Sequence, residues 1–187
     1  MELFILIFVA ILGVMFWAMV IYNRLIALQQ TRKSSFADID VQLKLRHDLI
    51  PNLVETVKKY AAHESEVFTQ VTEARSQAMQ AKSVDAKSSA ETFLDKAMMN
   101  LLAVAENYPE LKADAIFNRF QGELSALEKS IAAARRFFNN ATAELNTTSQ
   151  QFPASVIANM FKFKEEEFFE LEEDKRKTLD EPLKVQF

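Results

Sequence analysis

Residues 113–152 read ADAIFNRFQGELSALEKSIAAARRFFNNATAELNTTSQQF, and one pattern runs through all of them. Apolar or small residues recur at alternating steps of four and three, through Ala113, Phe117, Phe120, Leu124, Leu127, Ile131, Ala134, Phe138, Ala141, Leu145, Thr148 and Phe152. This is a heptad seam held for about five repeats, and it predicts one helix of about 40 residues, roughly 60 Å long. The helix should begin after Tyr108-Pro109 and end before Pro153, with Asn118, Glu123, Lys129 and Arg136 on its solvated face. A helix that long with one apolar stripe cannot bury the stripe alone, so the rest of the chain must supply its neighbours.

Moving towards the N-terminus, a second seam passes through Phe36, Ile39, Leu43, Ile50, Leu53, Val57, Tyr60, Val67, Val71, Ala74 and Ala78, with Arg46 and Glu64 as polar intruders. It predicts a single helical stretch. Pro51 falls inside it, and proline disfavours helical geometry at the residue before it, so a kink or short break is expected near Asp48 to Leu49. Lys82 to Ser89 is rich in Ser and Lys and reads as a turn. A shorter helix follows, with Ala90, Leu94, Ala97, Leu101, Val104 and Tyr108 on one stripe. After Pro153 a fourth, short helix is expected, with Phe152, Val156, Ile157, Met160 and Phe161 capping one end of the bundle. From Lys164 the composition turns acidic, with Glu165, Glu166, Glu167, Glu170, Glu172, Glu173 and Asp174 around Phe168, Phe169 and Leu171. This tail should be mobile or docked through its aromatics.

At the other end, Leu3 to Tyr22 contain no charged side chain and Arg24 follows closely. About 20 apolar residues at about 1.5 Å each match the roughly 30 Å hydrocarbon core of a bilayer. A cleaved secretory signal would need a basic start and a small-x-small cleavage site, and the segment has neither. It therefore reads as a membrane anchor, with Leu3, Phe8, Leu12 and Phe16 facing lipid and Trp17 and Tyr22 placed as interfacial aromatics. Arg24, Arg32, Lys33, Lys44 and Arg46 follow the apolar run, which predicts the N-terminus outside and the remainder in the cytoplasm.

The whole is an all-α chain: an anchor over residues 1–23 continuing into an antiparallel bundle of three to four long helices over 24–163, then an acidic, Phe-containing tail over 164–187. The composition agrees. There are two glycines and four prolines in 187 residues, which leaves few interruptions for helices. The net charge of −4 without a basic cluster argues against nucleic acid, whose phosphates need a concentrated cationic face. No cysteine is present, so neither disulfide nor thiol chemistry arises.

Catalytic signatures are lacking. His47 and His63 are sixteen residues apart, about 24 Å along one continuous helix, too far to share a metal ion. The Glu-x-x-His pattern of di-iron bundles fails, since Tyr60 precedes His63 by three and Lys44 precedes His47. No glycine-rich phosphate loop or nucleophile elbow occurs. The chain reads as a non-enzyme without metal or other cofactor. Arg46, His47 and Asp48, beside the expected kink, read as facing water or pairing locally. A charge at a seam position such as Arg46 or Glu64 is most simply explained by an interhelical ion pair.

The blocks Ile39-Asp40-Val41-Gln42-Leu43, Arg46-His47-Asp48-Leu49-Ile50-Pro51-Asn52-Leu53-Val54-Glu55, Val57-Lys58 and Tyr60-Ala61-Ala62-His63-Glu64 resemble the signature of the LemA family of bacterial membrane proteins. Tyr22-Asn23, Tyr108-Pro109-Glu110-Leu111-Lys112-Ala113, Ala134-Arg135, Phe152-Pro153 and Phe168-Phe169-Glu170 follow in the family's order. Departures are Phe36 where a tryptophan is usual, Leu45 where a second basic residue is common, and Phe138 where a tyrosine precedes asparagine. The resemblance implies a single-pass protein of the bacterial cytoplasmic (inner) membrane with an antiparallel helical bundle and no enzymatic activity or cofactor. Within the dense block, Ile50, Leu53 and Val57 should be core, while Arg46, Asp48, Asn52, Glu55, Lys58 and Glu64 are candidates for a partner-facing surface.

Two functions are expected on these grounds. The first is a scaffold that self-associates and organises or remodels the membrane, because sixteen phenylalanines exceed what three long helices bury comfortably. The second is a monomeric adaptor that recruits other membrane proteins through Phe168 and Phe169. A channel is least supported, since one span without ionisable residues cannot line a polar path.

Overall fold

The computed structural model describes residues 1–169, and among these every regular element is a helix. In order they are α1 (Glu2–Lys58), α2 (Ser65–Gln80), α3 (Val84–Glu106), α4 (Pro109–Ala113), α5 (Ala115–Gln150) and α6 (Ala154–Met160). The long heptad helix is present as α5 and stops before Pro153. Its start is moved slightly, because Pro109 opens the separate short helix α4. Asp114 then caps α5: its Oδ1 accepts from the backbone N–H of Ile116 at 2.6 Å and of Phe117 at 3.2 Å, two donors that a helix start leaves without partners.

Three expectations need correction. First, of the kink or short break expected at Pro51, the break is absent: α1 runs unbroken for 57 residues with Pro51 inside it. Proline has no N–H to bond the carbonyl four residues earlier, which here belongs to His47. That carbonyl is satisfied from another helix, by Arg75 Nε at 2.7 Å, so the helix passes the proline without a break. Second, the seam from Phe36 to Ala78 is two helices, not one. Between them Tyr60 N–H and Ala61 N–H both bond the Val57 carbonyl at 3.0 Å, and the chain reverses around the fully buried Ala61. On one straight rod the stripes of α1 and α2 could not cover each other. Reversal lets Phe68, Val71, Ala74 and Ala78 join Ile50, Leu53 and Val57 in one core. Third, the expected turn over Lys82 to Ser89 shrinks to the residues before Val84. Ser83 caps α3, its Oγ accepting from Ala86 N–H at 3.2 Å.

The described chain divides into two compact units, and α1 and α5 contribute to both. One holds residues 40–133, where the later part of α1, α2, α3, α4 and the first half of α5 enclose a core that includes Leu94, Leu101, Leu111, Phe117 and Leu124. The other holds residues 1–39 and 134–168. Here Phe36 and Phe138 stack with ring centroids 5.5 Å apart, and α6 lays Ile157 and Ala158 against Leu25 of α1. This corrects the capping role expected of the segment after Pro153. Ile157 is buried, whereas Phe152, Val156, Met160 and Phe161 are exposed.

From Leu3 to Val20 every large apolar side chain of α1 is exposed, and none of its most apolar 18-residue window is buried. A bare apolar helix of that length suits hydrocarbon rather than water.

Candidate functional site: a buried arginine and an outward stripe on α1

Arg46 was a candidate for a partner-facing or locally paired position and, as a charge on the seam, for an interhelical ion pair; the ion pair is what forms. Arg46 is 3% exposed, which removes it from a partner-facing surface. Its Nη1 lies 3.2 Å from Glu91 Oε2, Nη2 pairs with Asp95 Oδ1, and Nε lies 3.1 Å from Glu128 Oε1. The contact with Glu128 is an ion pair without the alignment of a hydrogen bond. His47, next in sequence, is buried too and places Nε2 2.7 Å from the other oxygen of Glu91. With Glu91 ionised, Nε2–H is the donor. The seam position forces this outcome: a charge on the inward stripe of α1 must meet partners on the helices opposite. Burial pushes the Arg46 guanidinium towards deprotonation, but the carboxylates of Asp95, Glu128 and Glu91 outweigh it and hold the pKa above its ordinary value.

Glu91 and Asp95 sit one turn apart on α3, and Glu128 comes from α5. The cluster is a latch with a defined register. Sliding α1 by one turn against α3 would leave Glu91, 1% exposed, without its cation. The three carboxylates, Glu91, Asp95 and Glu128, were missed as sites, although for Glu91 a signal existed. Glu91, Leu94, Met98, Leu101 and Ala105 follow the three-and-four spacing and are all buried, so a carboxylate occupies a seam position on α3 as Arg46 does on α1.

The remaining candidates fall elsewhere. Asp48, Asn52, Glu55 and Lys58 are exposed on α1. Asp48 pairs locally with Lys44 at 3.2 Å, and Lys58 with Glu55 at 3.8 Å. Asp48, Asn52 and Glu55 continue an outward stripe that begins with Val41 and Leu45, 56% and 48% exposed, again at steps of four and three. Glu64 is half-buried and accepts from the Tyr108 hydroxyl at 3.5 Å. Phe168 is partly exposed, but Phe169 is buried, which removes it from a docking face. The start of the tail is docked by polar contacts as well as by buried Phe169: Glu166 exchanges two 2.9 Å hydrogen bonds with Asn146 and pairs with Arg32 at 2.9 Å. The acidic residues from Glu170 onwards lie outside the described residues.

His63 is exposed in the connection after α1, while His47 is engaged with Glu91. Among the described residues no group of three or more His, Cys, Asp or Glu side chains is placed to hold a metal ion.

In the unit formed by residues 40–133, a groove of about 400 Å³ opens between α3 and α5. Met98, Met99, Leu102 and Leu124 line it, and Arg46, Asp95 and Glu128 form its polar side. Of the anchor residues, Leu3, Phe8, Leu12, Phe16 and Trp17 are exposed, whereas Tyr22 is half-buried and stacks on Phe161 with centroids 4.6 Å apart.

These features define a membrane-associated helical protein with, among the described residues, one candidate span near its N-terminus. The chain belongs to the LemA family, which it matches over residues 35–187. It is 22% identical over 174 aligned residues to Magnetosome protein MamQ of Magnetospirillum gryphiswaldense, an alignment covering 79% of this chain and 64% of that protein. Magnetosome proteins MamQ 1 and MamQ 2 of Paramagnetospirillum magneticum are also 22% identical, over 175 residues and 80% of this chain. The chain thus spans 64% of the length of these relatives.

Proposed function

We propose that this protein is a non-enzymatic scaffold whose copies, anchored in one bilayer, associate side by side and organise the membrane that holds them. The observation that carries this reading is the outward stripe of α1. A bundle already buries one heptad face of that helix, and a second face, opening with exposed Val41 and Leu45, is left uncovered by the described residues. Exposed apolar residues at helical spacing suit a neighbouring helix groove.

The groove between α3 and α5 offers the complement. Met98, Leu102 and Leu124 line it with the exposed Met99, and Asp95 and Glu128 are on its polar side. On the outward stripe, Lys44 lies between Val41 and Leu45 with its side chain 78% exposed. Apolarity therefore matches between one copy's stripe and the next copy's groove, while Lys44 pairs with Asp48 and the groove carboxylates with Arg46 inside each copy. The two surfaces occupy the same level of the bundle, because Arg46 lines the groove and Leu45 precedes it in sequence. Anchors in one membrane hold copies in a common orientation, so such a contact would be in-plane. A contact between unlike faces propagates, and gives a ring or an array according to its angle. The bundle lies in the cytoplasm and the N-terminus outside the inner membrane, as Arg24, Arg32 and Lys33 after the span favour.

The test is the mass of the full-length protein in nanodiscs after Leu45→Asp in the stripe or Met99→Asp in the groove. Each substitution alone should reduce a multi-copy particle to the single chain while helix content is unchanged. Particles that keep their mass with both changes would rule out this contact.

A further inference from the structure

We infer that α6 with its flanking Phe152 and Phe161 is a second membrane element, immersed in the phospholipid interface where α1 leaves the bilayer. This goes beyond the scaffold reading and rests on α1 spanning the membrane.

The placement of α6 requires it. Its inner face, Ile157 and Ala158, packs on α1 with Ala18, Ile21, Tyr22 and Leu25. The groove beside that contact, about 520 Å³, is lined by Val14, Trp17, Met19, Val156, Met160 and Phe161 among others. If Tyr22 marks the end of the span, Trp17 lies about 7 Å and Val14 about 12 Å inside it, at about 1.5 Å per residue. The side chains of α6 that face the same groove then share that depth.

The outward face is fit for lipid. Phe152 is 84% and Met160 67% exposed, beside exposed Val156 and Phe161. From Leu145 to Phe161 there is no charged residue, and the charges resume at Lys162 and Lys164. With Arg24 on α1, these cations would stand where headgroup phosphates lie. Lys and Arg reach such positions while their stems remain in the apolar layer.

Several backbone N–H groups bond carbonyls within the segment, which lowers the cost of insertion. Ser155 N–H bonds the Gln151 carbonyl at 2.8 Å and Phe161 N–H the Ile157 carbonyl at 3.0 Å. The end of α6 closes on itself. Lys162 adopts a φ of 60°, Lys162 N–H bonds the Asn159 carbonyl and Phe163 N–H the Ala158 carbonyl. This arrangement satisfies carbonyls that a short helix would otherwise leave to water.

The chain has no cysteine, so single positions can be labelled in the full-length protein. Val156→Cys and Met160→Cys, carrying a bimane fluorophore, are reconstituted into phosphatidylcholine and phosphatidylglycerol vesicles with nitroxide lipids. Phe8→Cys reports the span and Glu123→Cys the aqueous surface. The proposal predicts strong quenching of both α6 labels by nitroxides at the shallow acyl positions and little quenching by iodide. Strong iodide quenching of both would place α6 in water and overturn it. Protection from both quenchers would mean that protein covers the face, and would overturn it too. If Phe8→Cys is also untouched by lipid quenchers, the span itself fails, an outcome distinct from failure of α6 alone.

Discussion

At Arg46 the chain carries one guanidinium against three carboxylates, and the balance decides what each substitution costs. Removing a single partner of a buried ion pair strands the other, at a cost of about 3–5 kcal/mol, whereas replacing both by apolar residues is far milder. Arg46→Met should therefore destabilise the bundle strongly, because Glu91 is left buried. The double variant Arg46→Met, Glu91→Leu should recover much of the loss, read by denaturant titration of helix content in mild detergent. Equal loss in both variants would show that the arginine acts through packing alone. A second residue-scale prediction concerns the Pro51 bypass. Arg75→Ala leaves the His47 carbonyl without its donor and should cost about 1–3 kcal/mol. With Pro51→Ala in place, the new amide supplies that hydrogen bond, so the cost of Arg75→Ala should shrink. An unchanged cost would mean that Arg75 stabilises α2 by other contacts.

At the scale of the element, helix ends and reversals carry the predictions. Asp114 accepts from the Tyr60 hydroxyl at 2.8 Å as well as from two N–H groups at the start of α5. The Tyr60 bond first, then those of Phe117 and Ile116, hold its carboxyl below the ordinary carboxylate range, and the Tyr60 hydroxyl is pushed up in turn. A carboxyl with a lowered folded pKa adds stability that is fully present above its unfolded value, about 3.9, and is lost as pH falls through the folded value. Asp114→Asn should flatten that part of the acid limb of the stability profile, and an unaltered limb would contradict the assignment. The long helix α5 was plain from its heptads, since apolar spacing persists for many turns. The break between α1 and α2 was not, because the same spacing continues across Lys59 to Glu64 and only the need to bury both stripes reveals the reversal. Pro51 misled for a related reason. Its local preference is real, but the donor that compensates for it, Arg75, comes from a different helix. The latch was half legible: Arg46 stood out as a charge on a seam, while Glu91 was hidden by placing the α3 stripe through Ala90 instead of Glu91.

For the whole molecule, the membrane segment, the helical class and the family were within reach of the sequence. They rest on composition and on periodicities that survive any rearrangement of the helices. The surfaces left over after folding were not. The heptad seam placed Phe138 inward, as packing bears out, but it could not say which of the outward residues, Phe137 among them, stay uncovered. Three surfaces are left uncovered by the described residues: the outward stripe of α1, the groove between α3 and α5, and the apolar face of α6. The first two are assigned here to neighbouring copies and the third to lipid. The division makes the assembly dependent on the bundle and the seating of α6 dependent on the bilayer.

The central claim, self-association of the anchored bundle, is tested most directly by the mass of the full-length protein in nanodiscs large enough for several copies, measured by light scattering with particle imaging across a wide concentration range. The account predicts discrete multi-copy particles with bundles side by side. A single chain per particle at every concentration would contradict it and leave the monomeric adaptor as the function to pursue.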